Sequence, residues 1–238
     1  MSIEPNQNEA SSPPQPTLWE FVQLNPITTG LILVCIGIAV WTQLGASLTN
    51  VRWLTFVDLI DRSGSEGVFP GWAEGQWWRG ITPIFLHFGI VHLVFNLMWL
   101  YDLGGAIESR WRARQLMILV VVCGVFANGA QYLINWDFQN GFHQWNALSG
   151  GMSGVVYGLF GYLWIRSRRD PSLGLHLNQQ TVLLMIGWLV FCMTGMMGRI
   201  GNTAHLVGLL VGVAAGFLAP RRLTSDLSPV SRTSEGGI

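Results

Sequence analysis

The chain has 238 residues and no net formal charge; half of its residues are hydrophobic and only 11% are charged. Soluble domains usually carry about 25% charged residues, so this composition indicates that lipid is the solvent for most of the chain. The neutral charge balance gives no reason to expect nucleic acid or an acidic partner. The three cysteines lie far apart within apolar segments, which favours packing roles over a disulfide or a metal site.

The polar ends of the chain predict one folded domain between two tails. Residues 1–19 and 223–238 have the polar composition typical of disordered segments, and the first of these is rich in Pro, Gln, Asn and Ser. Residues 20–222 are left as a single membrane domain. No secretory signal is expected, because the first apolar run begins near residue 28 and no basic region precedes it.

Six apolar segments are predicted to cross the membrane as helices. A hydrocarbon core of about 30 Å needs roughly 20 helical residues. The segments lie near residues 28–48, 82–104, 113–134, 149–167, 179–198 and 203–220. The intervening segment 49–81 is rich in tryptophan, a residue that settles at membrane interfaces. The predicted fold class is an all-α polytopic membrane protein.

Arginines predict the orientation of these spans. One set follows spans two, four and six: Arg110, Arg112, Arg114, Arg166, Arg168, Arg169, Arg221 and Arg222. The opposite loops hold fewer: Arg52, Arg62, Arg79 and Arg199. By the positive-inside rule, both termini are expected in the cytoplasm.

Four polar side chains on three predicted spans share one depth. Counted from the cytoplasmic ends of their helices, Ser153 and His205 lie at about 20 and 22 Å. His92 and Asn96 lie at about 24 and 18 Å on span two. Polar groups inside a membrane are costly, so each is a functional candidate. Glycines spaced four residues apart on span six, with others on span four, allow the two helices to approach closely and bring Ser153 to His205.

This pair predicts nucleophilic chemistry. A serine hydroxyl becomes a strong nucleophile when a base removes its proton, and histidine is the commonest base. No Asp or Glu lies at the same depth, so the pattern predicts a Ser153–His205 dyad without an acidic third member. Tyr157, one turn below Ser153, is expected to pack against the imidazole.

The same chemistry needs hydrogen-bond donors for a developing oxyanion. The backbone N–H of Ser153 is expected at the start of span four, where unpaired amides favour negative charge. His92 and Asn96, four residues apart on one helix face, are candidate side-chain donors. Gly151 allows the backbone to pass close to a substrate.

Together these motifs resemble the rhomboid intramembrane serine proteases, and most of all their bacterial GlpG group. The resemblance rests on "GMSG" with a tyrosine four residues after its serine, "HFGIVHLVFN", "AHLVGLLVG" and "WWR", and it covers about residues 70–220. It implies a six-transmembrane-helix bundle with a membrane-embedded first outer loop. The implied activity is endopeptidase cleavage in or near transmembrane segments of other proteins, without a metal or other cofactor. The implied location is the bacterial inner membrane, with an active site that opens to the outer side.

The resemblance also implies roles for individual positions. Ser153 matches the nucleophile and His205 the general base. The remaining matches are the oxyanion donors His92 and Asn96, the base-stacking Tyr157, and Trp78 and Arg79 in the motif that shapes the first outer loop. Span five and the loop after it match the parts that move aside for substrate, although no gate residue can be assigned there. The separate cytoplasmic domain of some relatives is expected to be absent.

Two other classes of function remain open. A non-catalytic rhomboid-like protein could bind membrane clients, although every expected catalytic position is filled. A channel or transporter could use the intramembrane histidines, although the polar residues share one level instead of forming a ladder across the bilayer. Metalloproteases are disfavoured because no HExxH motif is present. Outside the site, Glu108 is expected to hold the cytoplasmic turn between spans two and three.

Overall fold

The computed structural model describes residues 17–58, 74–137, 141–143, 148–173, 177–196 and 201–220. The helices in these ranges are α1 (Leu18–Leu24), α2 (Pro26–Trp41), α3 (Leu48–Val51), α4 (Ile90–Trp99), α5 (Gly105–Leu133), α6 (Ser153–Arg169), α7 (Gln179–Met193) and α8 (Asn202–Leu218). A π-helical turn, Leu100–Gly104, joins α4 to α5. The predicted disordered tails lie outside the described residues, except that α1 already begins at Leu18.

One small sheet interrupts this helical architecture. Strand β1 (Asn135–Asp137) pairs antiparallel with β2 (Gly141–His143), so that Trp136 lies opposite Phe142. The all-α prediction therefore describes the main architecture but missed this hairpin, which lies between α5 and α6.

Helix α2 begins at a sharp bend and at a buried carboxylate. Its axis turns by 106° from that of α1. The two oxygens of Glu108 accept hydrogen bonds from the backbone N–H groups of Ile27 (2.8 Å) and Thr28 (2.7 Å) and from the Thr28 hydroxyl (2.7 Å). The first amides of a helix lack intrahelical partners and carry partial positive charge, which a carboxylate satisfies. Glu108 thus caps α2 from the connection between predicted spans two and three, and this partner was not part of its expected role in that turn.

Within the described ranges, one helical run, Ile90–Leu133, is long and apolar enough to cross a membrane, and the bent α1–α2 pair qualifies if it is counted as one span. Helices α7 and α8 are apolar but shorter. The long run is broken at Arg112, whose φ of 70° and ψ of 166° are not helical. Beyond this break, Asn128 donates a hydrogen bond to the Gly80 carbonyl at 2.9 Å, so the chain returns toward residues that precede α4.

Helix α4 begins later than the predicted span 82–104. Two short 3₁₀ turns, Trp77–Gly80 and Thr82–Phe85, come first. Pro83 has no N–H to donate to a helix, and Gly89 has a φ of 106°, a value that ordinary residues avoid. The regular helix can therefore start only at Ile90.

Helix α6 lies at the centre of the fold and makes its closest contact with α8. A Cβ atom placed on Gly208 would overlap the carbonyl oxygen of Gly154, and one on Gly212 would overlap that of Gly158. Because 154 pairs with 208 and 158 with 212, the two helices run in the same direction. Small residues permit this backbone contact, which is the usual device where lipid provides no hydrophobic driving force.

Arg166 joins α6 to α8 at the carboxyl-terminal end of the two helices. The buried Arg166 of α6 donates to the carbonyls of Ala219 (3.1 Å) and Pro220 (2.9 Å), just after α8 ends. It also pairs with Asp170 at 3.3 Å. The guanidinium therefore binds the chain immediately after α8 and fixes the height of α8 against α6.

We predict that Gly212→Ala destabilises the protein by about 1–3 kcal/mol, because the added methyl group forces α6 and α8 apart. Thermal unfolding in detergent, or a steric-trap measurement in bicelles, provides the comparison. Gly30→Ala in α2 is the matched control, because nothing lies within 4 Å of the added Cβ. Equal stability of the two variants would contradict the close packing.

Candidate active site

The serine and histidine singled out by the sequence lie in direct contact. Ser153 is the first residue of α6, and His205 lies in the first turn of α8. The Ser153 Oγ atom and the His205 Nε2 atom are 2.8 Å apart. The close packing of α6 on α8 carries both residues to this position, because Gly154 and Gly208 lie within one turn of them. The geometry allows Nε2 to accept the serine proton.

An aromatic ring supports the imidazole from one side. The Tyr157 ring lies 5.0 Å from the His205 ring, at an interplanar angle of 36°. The Tyr157 hydroxyl donates to the Met185 carbonyl on α7 at 3.1 Å. The tyrosine is therefore held by a third helix and restricts how far the imidazole can rotate.

No acidic residue completes a triad among the described residues. The Nδ1 atom of His205 is buried and has no hydrogen-bond partner in that part of the chain. If Nε2 accepts the proton of Ser153, Nδ1 must carry the other ring proton of the neutral imidazole. The arrangement is a two-residue contact with an unpaired donor on its far side.

His92 lies on the other wall of the site. Its Nδ1 atom accepts a hydrogen bond from the Phe88 N–H at 3.4 Å. The proton of the neutral ring then belongs on Nε2. That atom lies 2.7 Å from the position of a Cβ on Gly151, two residues before Ser153. The Nε2–H of His92 is thus a donor next to the start of α6.

Gly151 and Asn96 contribute differently from expectation. The Gly151 N–H donates to the Pro83 carbonyl at 2.9 Å, so it is already occupied. With a φ of 126° and the His92 ring against its missing side chain, Gly151 shapes the wall of the site. Asn96 is buried, and its amide donates to the His92 carbonyl one turn earlier at 2.9 Å. One amide hydrogen of Asn96 is therefore used within its own helix.

Arg79 organises the segment before the site. Its side chain is 1% exposed and donates from one nitrogen to the carbonyls of Arg52 (2.7 Å) and Thr55 (2.9 Å). It also bonds to the Gln76 side-chain oxygen and lies 3.6 Å from Asp58. Burial lowers the pKa of Arg79, and the Asp58 carboxylate opposes that shift. The guanidinium joins the chain before α4 to the chain after α3.

Trp78 lies at the surface of the same segment. Its indole N–H donates to the Trp53 carbonyl at 3.3 Å, while its ring is about half exposed. Trp77 and Trp53 are also exposed. Such a group of tryptophans is typical of a membrane interface. Trp72, the fourth tryptophan of this segment, lies outside the described residues.

Sequence reasoning missed several residues around the site. Phe95 on α4 stacks on Trp188 of α7, with ring centroids 5.9 Å apart and an interplanar angle of 7°. Gln131 of α5 accepts a hydrogen bond from the Ala204 N–H at 3.0 Å, beside His205. Apolar rings within apolar helices carry no distinguishing signal. Gln131 is a polar residue within the third predicted span, but no local pattern in the sequence identifies α8 as its partner.

We predict that Arg79→Gln loosens the segment around Arg52, Thr55 and Asp58, because two backbone carbonyls lose their donor and Asp58 loses an ion-pair partner. Hydrogen–deuterium exchange should rise several-fold across residues 52–58 while α6 stays protected. Arg168→Gln, on the predicted cytoplasmic side, is the control and should leave exchange in this segment unchanged. Unaltered exchange in Arg79→Gln would contradict the organising role.

Comparison with known proteins now assigns the chain to a family. A Rhomboid domain matches residues 74–222. The rhomboid protease GlpG of Serratia proteamaculans (strain 568) is 34% identical over 193 residues, which is 81% of this chain and 62% of the relative. The GlpG proteins of Salmonella paratyphi A and Salmonella typhi are 31% and 32% identical over 194 and 196 residues. The chain spans a little under two thirds of the length of these curated relatives. It belongs to the rhomboid family.

Proposed function

We propose that this protein is an intramembrane serine endopeptidase that hydrolyses peptide bonds in or near transmembrane segments of other membrane proteins. The observation that carries the proposal is the 2.8 Å contact between Ser153 Oγ and His205 Nε2. Membership of a family whose curated relatives are named proteases gives independent support. A nucleophile next to its base is the minimum arrangement for acyl transfer.

In the acylation step, His205 Nε2 removes the proton of Ser153 as the serine oxygen attacks the scissile carbonyl carbon. The resulting oxyanion accepts hydrogen bonds from the Ser153 N–H, from the Nε2–H of His92 and from the second amide hydrogen of Asn96. The imidazolium then donates its proton to the leaving nitrogen, the C–N bond breaks, and an acyl ester on Ser153 remains.

Deacylation repeats these steps with water. His205 removes a proton from the water as its oxygen attacks the ester carbon, and the same donors stabilise the second oxyanion. The proton then passes to the Ser153 oxygen as the C–O bond breaks, which regenerates the free serine. Every proton transfer uses the one imidazole, so the mechanism needs no metal or other cofactor.

The proposed membrane arrangement has six spans: α2, the two arms on either side of Arg112, α6, α7 and α8. Arg166 and the bound end of α8 support a cytoplasmic location for that end of the bundle. The exposed tryptophans Trp53, Trp77 and Trp78 support an outer interface near the start of α4. Both termini are then cytoplasmic, and the site opens outward from a bacterial inner membrane.

Substrate is proposed to enter between α4 and α7. The stacked rings of Phe95 and Trp188 join the two helices and are each partly exposed. Separation of these two rings would open a path from lipid to the wall that carries His92 and Asn96. Lateral entry is consistent with the substrate class that the family resemblance implies, a transmembrane segment of another protein.

We predict that Ser153→Ala and His205→Ala each reduce cleavage of a reconstituted transmembrane substrate by at least 10³-fold, because either change removes the nucleophile–base pair. Gel analysis of purified proteoliposomes gives the measurement. Thermal unfolding must show that both variants remain folded. Full cleavage by folded Ser153→Ala would exclude the proposed enzyme, and tight substrate binding without cleavage by the wild type would indicate a client-binding protein.

We also predict that Gly151→Ala lowers kcat by roughly 10²-fold, since its methyl group displaces the His92 ring from the oxyanion site. The added Cβ would lie 2.7 Å from two atoms of that ring, in a backbone conformation with a φ of 126°. Gly129→Ala in α5 is the control, because nothing lies within 4 Å of its Cβ. Equal kcat values for the two variants would argue against His92 as an oxyanion donor.

A further inference from the structure

Two buried polar atoms near the start of α8 have no hydrogen-bond partner within the described part of the chain. They are the Nδ1 atom of His205 and the Oδ1 atom of Asn202. The two residues are 5% and 6% exposed, so bulk solvent does not satisfy these atoms. A buried polar atom left unpaired costs about 1–3 kcal/mol. Two such costs in the first turn of one helix call for a common explanation.

Helix geometry places these two atoms on the same side of α8. Residues three apart lie on one helix face with Cβ atoms about 5–6 Å from each other. Helical side chains also lean back over the preceding turn, so the His205 ring extends over Asn202. Nδ1 is the ring nitrogen nearer the backbone, while Nε2 extends to Ser153 on α6. A bridge between the two residues requires the Nδ1 edge of the ring to face Asn202.

The hydrogen-bonding characters of the two atoms are complementary. Because Nε2 accepts the Ser153 proton, Nδ1 of the neutral ring carries hydrogen and is a donor. The Asn202 Oδ1 atom is an acceptor with two lone pairs. A buried water typically makes two to four hydrogen bonds to polar groups that would otherwise be unsatisfied. One water can accept from Nδ1–H and donate to Oδ1.

We propose that Asn202 is a positioning residue for His205, acting through one buried water that accepts the Nδ1–H hydrogen bond and donates to the Asn202 Oδ1 atom. The inference rests on the proposed function. The bridge fixes the tautomer in which Nε2 is the base. It also stabilises the imidazolium that forms when the proton of Ser153 is taken. Asn202 thus serves the orienting purpose of an acid in a triad without placing a charge in the membrane.

Kinetics provide the first test, using full-length protein and a reconstituted transmembrane substrate. Asn202→Leu, similar in size but without polar atoms, is expected to lower kcat about tenfold with KM unchanged. Asn202→Asp, which keeps an acceptor oxygen, is expected to keep most of the activity that Asn202→Leu loses. Titration with a fluorophosphonate corrects each rate for the fraction of active sites, so partial unfolding does not imitate the effect.

A spectroscopic test reads the hydrogen bond itself. Protein labelled with ¹⁵N only at its five histidines should give a downfield, slowly exchanging Nδ1–H signal that disappears in His205→Ala. We expect the same signal to broaden or vanish in Asn202→Leu and to persist in Asn202→Asp. The control Asn178→Leu removes the side chain that caps α7, where Asn178 accepts from the Gln180 N–H at 3.0 Å. It should lower stability without changing the His205 signal or kcat.

The outcomes separate this inference from the proposed function. Wild-type cleavage that is lost in Ser153→Ala, together with normal kcat and an unchanged His205 signal in Asn202→Leu, would overturn only the role of Asn202. Loss of kcat with an unchanged signal would also overturn it, because the effect would then not act through Nδ1. Absence of cleavage by the wild type would instead remove the proposed enzyme.

Discussion

The backbone contact between α6 and α8 is the constraint on which the rest of the structure depends. Gly208 and Gly212 lie against the carbonyls of Gly154 and Gly158, with no space for a side chain. In a membrane, where apolar side chains gain little by leaving lipid, this closeness supplies the packing energy. It also sets the relative height of the two helices. Ser153 therefore meets an imidazole that belongs to a helix 52 positions later in the chain.

Polar contacts away from the site preserve that height. Arg166 closes the far end of α8 through two carbonyls, and Glu108 caps α2 through three hydrogen bonds. Arg79 joins the segment before α4 to the segment after α3 through hydrogen bonds to the carbonyls of Arg52 and Thr55. Each of these charged side chains is buried and hydrogen-bonds to backbone atoms. These contacts hold the helices at their ends, and the Ser153–His205 pair lies at the end of the α6–α8 pair opposite Arg166.

The sequence predicted the parts of this arrangement that follow from periodicity and depth. Glycines four residues apart indicated the α6–α8 contact, and polar residues at one level indicated which side chains meet. The sequence did not predict where helices begin or which groups cap them. The late start of α4 depends on Pro83 and on the positive φ of Gly89, features of a turn that an apolar stretch conceals. The capping role of Glu108 depends on a partner about 80 residues away, which no local pattern reveals.

The candidate site was also predictable only in part. Motifs and the resemblance to a family indicated which residues form it, but the sequence could not show which of their N–H groups are free to bind an oxyanion. The Gly151 amide is occupied by Pro83, and one hydrogen of Asn96 is occupied by its own helix. These bonds depend on the exact path of the chain before α4. The unpaired atoms of His205 and Asn202 likewise emerge only from the folded packing.

Mass spectrometry after reaction with a fluorophosphonate measures the central claim most directly, namely that His205 activates Ser153. The account predicts one covalent adduct per folded chain, mapped to Ser153, and a labelling rate that falls by orders of magnitude in folded His205→Ala. Labelling of Ser153 at an unchanged rate without His205, or an adduct at another residue in the folded protein, would contradict it.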